Sequence, residues 1–261
     1  MKKIVSFTLI ILLTGLISCK ENAEIPPGLA NGGIVISFDD RHVPEWYDAH
    51  SRLTNYNWKV TFCISSYSRL SVSEILKIQE LINAGHEISS HGYSHLDAVH
   101  TIDSLGVDEY LNKEIYPMIE LMENDGFSVK TFAYPFGSRN EETDELLLNI
   151  FDLVRGVGRG INYTDAMRNC FFEGSPVVYS LGIDENTPHF NGLDYQQCIL
   201  DVLTYARDHK KILLVYAHKP VENITDDFQI SFSTLDLICN FVNENDMKYY
   251  TLSDLKGMVN Q

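Results

Sequence analysis

The sequence predicts an α/β protein whose strands form a parallel sheet, either open or closed as a barrel. Short apolar runs alternate with longer segments of helical period from Gly33 onward, and alternation over this length is typical of parallel sheets. Hydrophobic residues make up 44% of the 261 residues and charged residues 21%, which indicates a folded chain with a sizeable core. Because the composition does not change along this region, we predict one domain over residues 33–261.

Eight short apolar runs account for the predicted strands. Most of them are unbroken by charge. They are Ile34–Phe38, Lys59–Ile64, His86–Ser90, Lys130–Tyr134, Asp152–Gly156, Val177–Leu181, Ile212–Ala217 and Lys248–Leu252.

The clearest predicted helix follows Ser71. Ser71 and Glu74 have the spacing of a capping box, apolar residues follow at helical intervals, and Gly85 lies where a C-cap glycine is expected. Residues 157–190 are rich in Gly and Pro, so we predict a long insertion around one strand there. Further helices are predicted over Val107–Asn124, Glu141–Ile150, Tyr195–His209 and Ser233–Asn245.

The charge and the cysteines exclude two classes of protein. The 20 Lys and Arg against 36 Asp and Glu give a net charge of −16, which would repel a phosphate backbone, so we expect no nucleic-acid partner. The five cysteines form neither C-x-x-C pairs nor a dense disulfide pattern. Four of them are expected to be ordinary buried thiols: Cys63, Cys170, Cys198 and Cys239.

The N-terminus has the pattern of an export signal. Two lysines precede an apolar run, Ile4 to Ile17, that is too short to span a bilayer. Leu16-Ile17-Ser18-Cys19 closes the run and resembles the lipobox of bacterial lipoproteins. We therefore expect a lipoprotein signal peptide over residues 1–18, a lipid on Cys19 and a tether over residues 19–32. The alternative is a plain secretory peptide cleaved nearby. In either case we expect an extracytoplasmic protein, lipid-anchored in the first case to a bacterial membrane in the periplasm or at the cell surface.

The first cluster of polar residues follows the first predicted strand. Asp39 and Asp40 come directly after Phe38, and two adjacent carboxylates at the edge of a core are costly unless they share a cation or a proton. They indicate a metal site or an acid–base role. The alternative is a solvated turn with an Asp at a helix N-cap.

A second cluster follows the third predicted strand. His91 and His95 are four residues apart, so two neutral imidazoles can reach one ion from a compact loop. With a carboxylate from Asp39-Asp40, the set becomes two His and one Asp with an open position, which is typical of catalytic zinc. Surface histidines are common, so the pair alone is weak evidence.

Two further strand ends carry unusual residues. Tyr134-Pro135-Phe136-Gly137 follows one strand, and His218 follows another. Loops after the carboxyl ends of parallel strands form one face of the sheet, and such folds place their sites on that face. Turn prolines and a satisfied histidine explain each feature alone, but they do not explain the shared edge.

These motifs, in this order, resemble those of the polysaccharide deacetylases, the NodB-homology group of carbohydrate esterase family four. The resemblance extends from about Gly33 to about Leu255. It implies a distorted (β/α) barrel of about seven parallel strands and a divalent metal, for which zinc is the expected ion. By the resemblance, Asp39 is the catalytic base and His218 the catalytic acid, and the metal ligands are Asp40, His91 and His95.

The third motif is assigned to substrate binding. We expect the backbone N–H of Phe136, held between Pro135 and Gly137, to support the oxyanion. We expect the rings of Tyr134 and Phe136 to stack on sugar rings.

The chain also departs from the family pattern. Gly92 stands where a Ser or Thr often braces the loop after the first metal histidine, and Ser90 or Ser94 is a possible substitute. Ala133 stands where an Arg commonly orients the base. Asp184 and Arg159 are candidates to support His218, and Tyr216 stands where the last motif usually has Leu.

The resemblance implies a hydrolase of carbohydrate metabolism that acts on carbon–nitrogen bonds other than peptide bonds. We expect it to remove N-acetyl groups from an extracytoplasmic polysaccharide. Two alternatives stay open, an O-acetyl esterase that uses the same site and a catalytically inactive lipoprotein that binds glycans. Asp39 and His218 favour an enzyme, because a binding module needs neither a base nor an acid.

Overall fold

The computed structural model describes residues 31–158 and 163–259. Seven parallel strands form a closed barrel in the order β1 to β7, and β7 pairs with β1. The tenth strand pairs with the first residues of β1, at Gly33–Val35, on the edge of β1 that pairs with β2 from Ile36 onward. The strands are β1 (Gly33–Asp40), β2 (Val60–Ile64), β3 (Glu87–Ser90), β4 (Thr131–Ala133), β5 (Leu153–Val157), β6 (Val177–Gly182), β7 (Ile212–Ala217), β8 (Lys219–Val221), β9 (Gln229–Ser231) and β10 (Lys248–Tyr250).

Helices connect the barrel strands and cover the outside of the barrel. They are α1 (Val43–Leu53), α2 (Val72–Asn83), α3 (Ala98–Leu105), α4 (Val107–Tyr110), α5 (Tyr116–Asn124), α6 (Glu141–Leu148), α7 (Tyr163–Met167), α8 (Tyr195–Asp208) and α9 (Phe232–Glu244). A π-helical turn at Leu111–Ile115 joins α4 to α5. In the part of the chain that the structure describes, no helix is both long and apolar enough to span a bilayer.

All eight predicted strands are present, with ends that differ by at most two residues. The capping box predicted at Ser71 and Glu74 forms at the start of α2. Three helices were not predicted, α1, α3 and α7, and neither was the small parallel sheet of β8 and β9. The helices α1 and α3 begin shortly after site residues, where the polar motifs obscure the helical period. The short helix α7 lies in the segment that was predicted as an insertion.

Two apolar layers hold the barrel together. The larger layer lies between the strands and the helices and includes Ile36 and Phe38 of β1 packed with Trp46 of α1. A smaller cluster contains alternate residues of the strands, as expected for side chains that point into a barrel. The four cysteines predicted to be buried thiols are all buried: Cys63, Cys170, Cys198 and Cys239.

Polar residues close the barrel at the end where its strands begin. The Glu87 carboxylate accepts hydrogen bonds from Thr61 Oγ1 at 2.9 Å, Thr131 Oγ1 at 2.8 Å and the Ser253 N–H at 3.0 Å. The Leu252 N–H donates to Thr61 Oγ1 at 3.0 Å. The polar groups at this end are hydrogen-bonded to one another. The residues of the candidate site lie at the opposite end of the barrel.

Candidate active site

The carboxyl ends of the strands bring together the residues that the sequence singles out. Asp39 and Asp40 end β1, His91 directly follows β3, Pro135–Gly137 forms a helical turn after β4, and His218 directly follows β7. They surround one cavity of about 260 Å³. Its lining residues are Asp39, Asp40, His91, His95, Tyr134, Phe136, Gly137, Val157, Tyr216, His218 and Phe228.

Three potential metal ligands converge in this cavity. His95 Nε2 lies 3.2 Å from His91 Nε2 and 3.4 Å from Asp40 Oδ1. His91 Nε2 lies 3.9 Å from Asp40 Oδ1. Ligand atoms of a tetrahedral zinc site with bonds of about 2.0–2.1 Å stand roughly 3.3 Å apart. The three side chains therefore fit a divalent cation, and within residues 31–158 and 163–259 they form the only such group.

The hydrogen bonds of His91 direct one ring nitrogen to a cation. Its Nδ1–H donates to the carbonyl oxygen of Ala133 at 2.8 Å, so Nε2, which faces the other two ligands, keeps its lone pair in the neutral ring. Burial lowers the pKa of His91 below its ordinary value. The imidazole is therefore neutral at pH 7, as metal binding requires.

Two of the three potential ligands have left-handed backbone. The φ angle is 79° at Asp40 and 61° at His95, a region that residues other than glycine seldom adopt. The carbonyl of Asp40 is fixed there by the Ser65 N–H at 2.8 Å. Such backbone persists only where the surrounding structure holds it, and it concentrates at functional sites.

A buried carboxylate holds the loop that carries the second histidine. Glu114, in the π-helical turn, has no exposed surface. It accepts the N–H of Ser94 at 2.8 Å and the N–H of Leu96 at 2.6 Å. Gly92 makes room for it, because a Cβ at this position would lie 2.2 Å from Glu114 Oε1. Glu114 therefore holds the loop that, by the family pattern, a Ser or Thr hydroxyl would hold. Ser90 makes a weaker contact, in which the Gly92 N–H lies 3.4 Å from Ser90 Oγ.

Asp39 is held by an arginine that the sequence analysis did not identify. Arg155 Nη2 lies 2.5 Å from Asp39 Oδ1 and 2.7 Å from Oδ2, and the arginine is completely buried. Its guanidinium also lies 5.0 Å from the centre of the Tyr216 ring. Arg155 on β5 pairs in register with Ala133 on β4. Ala133 is the position at which the family pattern has an arginine, so the side chain of Arg155 enters the barrel next to that position.

This contact controls the charge of Asp39. Burial by itself raises the pKa of Asp39, but the charge of Arg155, smaller contributions from His91 and His218, and the Arg155 hydrogen bond hold that pKa below its ordinary value. Asp39 is therefore ionised at neutral pH. Its Oδ2 lies 3.8 Å from His91 Nε2, which places a carboxylate directly beside the potential metal ligands.

His218 is fixed by Asp184. His218 Nδ1 donates to Asp184 Oδ2 at 2.7 Å, and the His218 backbone N–H donates to Asp184 Oδ1 at 3.0 Å. The Trp46 indole donates to the His218 carbonyl at 2.9 Å. Asp184 thus keeps a proton on Nδ1, and Nε2 is the nitrogen left for chemistry at the cavity.

The same carboxylate makes His218 more basic. Burial by itself lowers the pKa of His218, but the hydrogen bond and charge of Asp184, with the charges of Asp39 and Asp40, raise that pKa above its ordinary value. The imidazolium form therefore extends to higher pH than in a free histidine, as a general acid requires.

The third motif behaves only partly as predicted. Phe136 is 65% exposed and its ring lies 4.6 Å from the ring of His95. Gly137 must stay small, since a Cβ there would lie 2.4 Å from the side chain of Val157. The expectation that the ring of Tyr134 stacks on a sugar is wrong, because that ring is completely buried and its hydroxyl donates to Asp144 at 3.0 Å.

Three residues of the site were missed from the sequence: Arg155, Glu114 and Phe228. The sequence did contain a signal for Arg155, because it is an arginine inside an apolar strand that follows the strand in which Ala133 replaces the family arginine. Glu114 and Phe228 lie in segments without a motif, and only the fold brings them to the cavity. Of the two candidates to support His218, Asp184 does so, whereas Arg159 lies outside the described residues, as do Cys19, the signal segment and most of the tether.

Comparison with known proteins gives the same family that the motifs resemble. Residues 29–150 match the family model described as polysaccharide deacetylase. No curated protein sequence matches the chain.

Solved structures of similar fold cover most of the chain. The Xyl-CE4 domain of a multidomain xylanase from the hindgut metagenome of Trinervitermes trinervoides is 19% identical, over 86% of this chain and 89% of that one, with a TM-score of 0.55. The peptidoglycan deacetylase PdaC from Bacillus subtilis is 17% identical, over 88% and 92%, with a TM-score of 0.53. The catalytic domain of the peptidoglycan N-acetylglucosamine deacetylase from Eubacterium rectale is 15% identical, over 91% and 94%, with a TM-score of 0.54. At these identities the likeness shows the fold.

Proposed function

We propose that this chain, of which residues 29–150 match the polysaccharide deacetylase family model, is a metal-dependent hydrolase that removes N-acetyl groups from an extracytoplasmic polysaccharide. One observation carries the proposal: a potential metal site, an ionised carboxylate and a histidine of raised pKa share one cavity. Solved structures of this fold include enzymes described as acting on peptidoglycan and as part of a xylanase, which supports a glycan substrate.

The metal would be held by Asp40, His91 and His95, with zinc the ion that best suits two imidazoles and one carboxylate. When bound, such a cation acts as a Lewis acid that makes water more acidic and polarises a carbonyl. Asp39, ionised beside these ligands, takes the proton of the attacking water. Arg155 keeps Asp39 ionised and fixes the direction of its oxygens.

His218 completes the reaction at the leaving nitrogen. An amide nitrogen leaves poorly unless it is protonated, and the imidazolium of His218 can donate the proton on Nε2 while Asp184 retains the one on Nδ1. The backbone N–H of Phe136, in the turn that lines the cavity, is the proposed donor to the oxyanion. A sugar alkoxide is a much better leaving group than an amide anion, so an amide needs a general acid more than an ester does. The presence of this acid therefore favours N-acetyl over O-acetyl substrates.

Metal analysis and acetate release test this proposal together. We expect the purified protein to hold one divalent ion and to release acetate from N-acetylated glycans faster than from O-acetylated ones. Asp39→Asn is the control, which should keep the metal and lose acetate release. Faster release from O-acetylated glycans would establish the esterase instead. Stoichiometric metal with no acetate from either substrate would overturn the enzyme and leave a glycan-binding protein.

We further propose that the protein is exported and lipid-anchored through Cys19, on the basis of the signal pattern in residues 1–19. Cys19→Ser should move the protein from the membrane fraction to the soluble extracytoplasmic fraction. An unchanged distribution would exclude the anchor.

A further inference from the structure

The cavity has a second exposed aromatic ring besides Phe136. Phe228 lines the same cavity and is 60% exposed, close to the 65% of Phe136. Its ring lies 4.9 Å from the ring of His218. Phe136 lies at the potential metal ligand His95 and Phe228 at the proposed acid, so the two rings border the two groups between which an acetylated nitrogen must bind.

Both phenylalanines are held in unfavourable backbone. The φ angle is 58° at Phe136 and 57° at Phe228, a region in which a bulky side chain is an outlier. Large apolar rings gain nothing from exposure to water, so both the exposure and the backbone cost free energy. Because two rings at the same cavity carry this cost in free energy, we infer that a ligand in the cavity contacts them.

The loop that presents Phe228 is fixed in place. Phe228 lies between β8 and β9, and its carbonyl accepts the Lys219 N–H at 3.2 Å. The buried side chain of Gln229 accepts the N–H of Thr225 at 2.8 Å and the N–H of Asp226 at 3.1 Å. The backbone that carries the ring is therefore positioned before any ligand arrives, which lowers the entropy cost of binding.

We propose that Phe228 is a substrate-binding residue, and that with Phe136 it forms two apolar walls for the pyranose rings around the acetyl group. This inference rests on the proposed function, since it places an acetylated glycan in the cavity. A phenyl ring binds the face of a sugar that presents C–H bonds. Sugars whose ring substituents are all equatorial present such faces on both sides, whereas an axial hydroxyl puts a polar group against a wall. The site should therefore prefer gluco-configured glycans to galacto-configured ones.

Binding to the full chain with Asp39→Asn, which stops turnover, tests the walls without any need for catalysis. The probes are the β-1,4-linked tetramer of N-acetylglucosamine and an N-acetylgalactosamine oligomer of similar length. We expect the first to bind more tightly, and Phe228→Ala to weaken it by about two- to tenfold, the usual worth of one aromatic contact. Phe228→Trp should restore binding. Tyr116→Ala is the matched control, an aromatic that is 48% exposed on α5 and does not line the cavity.

Kinetics of the enzyme with Asp39 intact separate a binding role from a structural one. Phe228→Ala should raise KM with little change in kcat and leave the pH profile in place. A shifted alkaline limb would mean that Phe228 acts through His218 and would overturn the proposal, as would unchanged binding of the tetramer or equal binding of the two glycans. If the protein releases no acetate but Phe228→Ala still weakens the tetramer, the proposed function fails and this inference stands.

Discussion

Replacing Arg155 with Met should destabilise the protein and change the pH dependence of its reaction. Arg155 is completely buried, Asp39 is 3% exposed, and the two are joined by contacts of 2.5 and 2.7 Å. Removing one partner of a buried ion pair leaves the other charge unpaired, at a cost of about 3 to 5 kcal/mol. For a chain of this size we expect Tm to fall by roughly 10 °C.

The sign of the pH effect follows from the pKa of Asp39. Arg155 holds this pKa below its ordinary value, so the pair contributes stability above the pKa of an unfolded Asp and loses it as the pH falls through the lower folded value. In Arg155→Met, burial is opposed only by the smaller contributions of His91 and His218, so the pKa of Asp39 rises. The loss of stability should therefore be largest at neutral pH and shrink in acid, and the acid limb of kcat/KM should move to higher pH.

A double-mutant cycle of Asp39→Asn and Arg155→Met, followed by urea unfolding at pH 7, measures the coupling directly. We expect the double variant to be less destabilised than the sum of the single variants. Arg139→Met is the control, because Arg139 pairs with Asp144 and should leave the acid limb in place. Additive destabilisation in the cycle together with an unmoved acid limb in Arg155→Met would refute the role given to Arg155.

Three other predictions concern the remaining groups. Asp184→Asn removes the negative charge and one of the two acceptor oxygens that hold His218, so the pKa of His218 falls and the alkaline limb of kcat/KM should move to lower pH; an unmoved limb would contradict the role of His218 as the acid. Glu114→Gln replaces an acceptor of two backbone N–H groups with an amide that still packs, so zinc titration should show at least tenfold weaker affinity, with far-UV circular dichroism unchanged; wild-type affinity would contradict the bracing. Asp40→Ala or a chelator should abolish acetate release, and zinc should restore it only to the chelated wild type.

The strands and the shared edge of the site could be predicted from the sequence because each depends on local pattern. Phe38-Asp39-Asp40 marks a strand end, and parallel strands bring such ends to one face. His91 and His95 are close in the chain, so their meeting needs only a compact loop. In these cases a short stretch of sequence determines the geometry.

The contacts of Arg155, Glu114 and Phe228 could not be predicted because they depend on register and on distant packing. Arg155 reaches Asp39 across 116 positions of the chain, and only the pairing of β4 with β5 places it beside Ala133. The error on Tyr134 has the same origin. Alternate residues of a strand point to opposite faces of the sheet, but the sequence does not show which face is covered at the end of β4. Tyr134 is buried against α6, where its hydroxyl donates to Asp144.

The pairing of β7 with β1 makes the proposed hydrolysis depend on closure of the barrel. Asp39 lies at the end of β1, and His218 directly follows β7, the last strand of the barrel, so the proposed base and acid become neighbours only when β7 pairs with β1. A chain that opens along this seam could retain its helices and its three potential ligands and still lack the proton donor. Acetate release would then be lost before helical structure during unfolding. Its recovery during refolding would show when β7 pairs with β1.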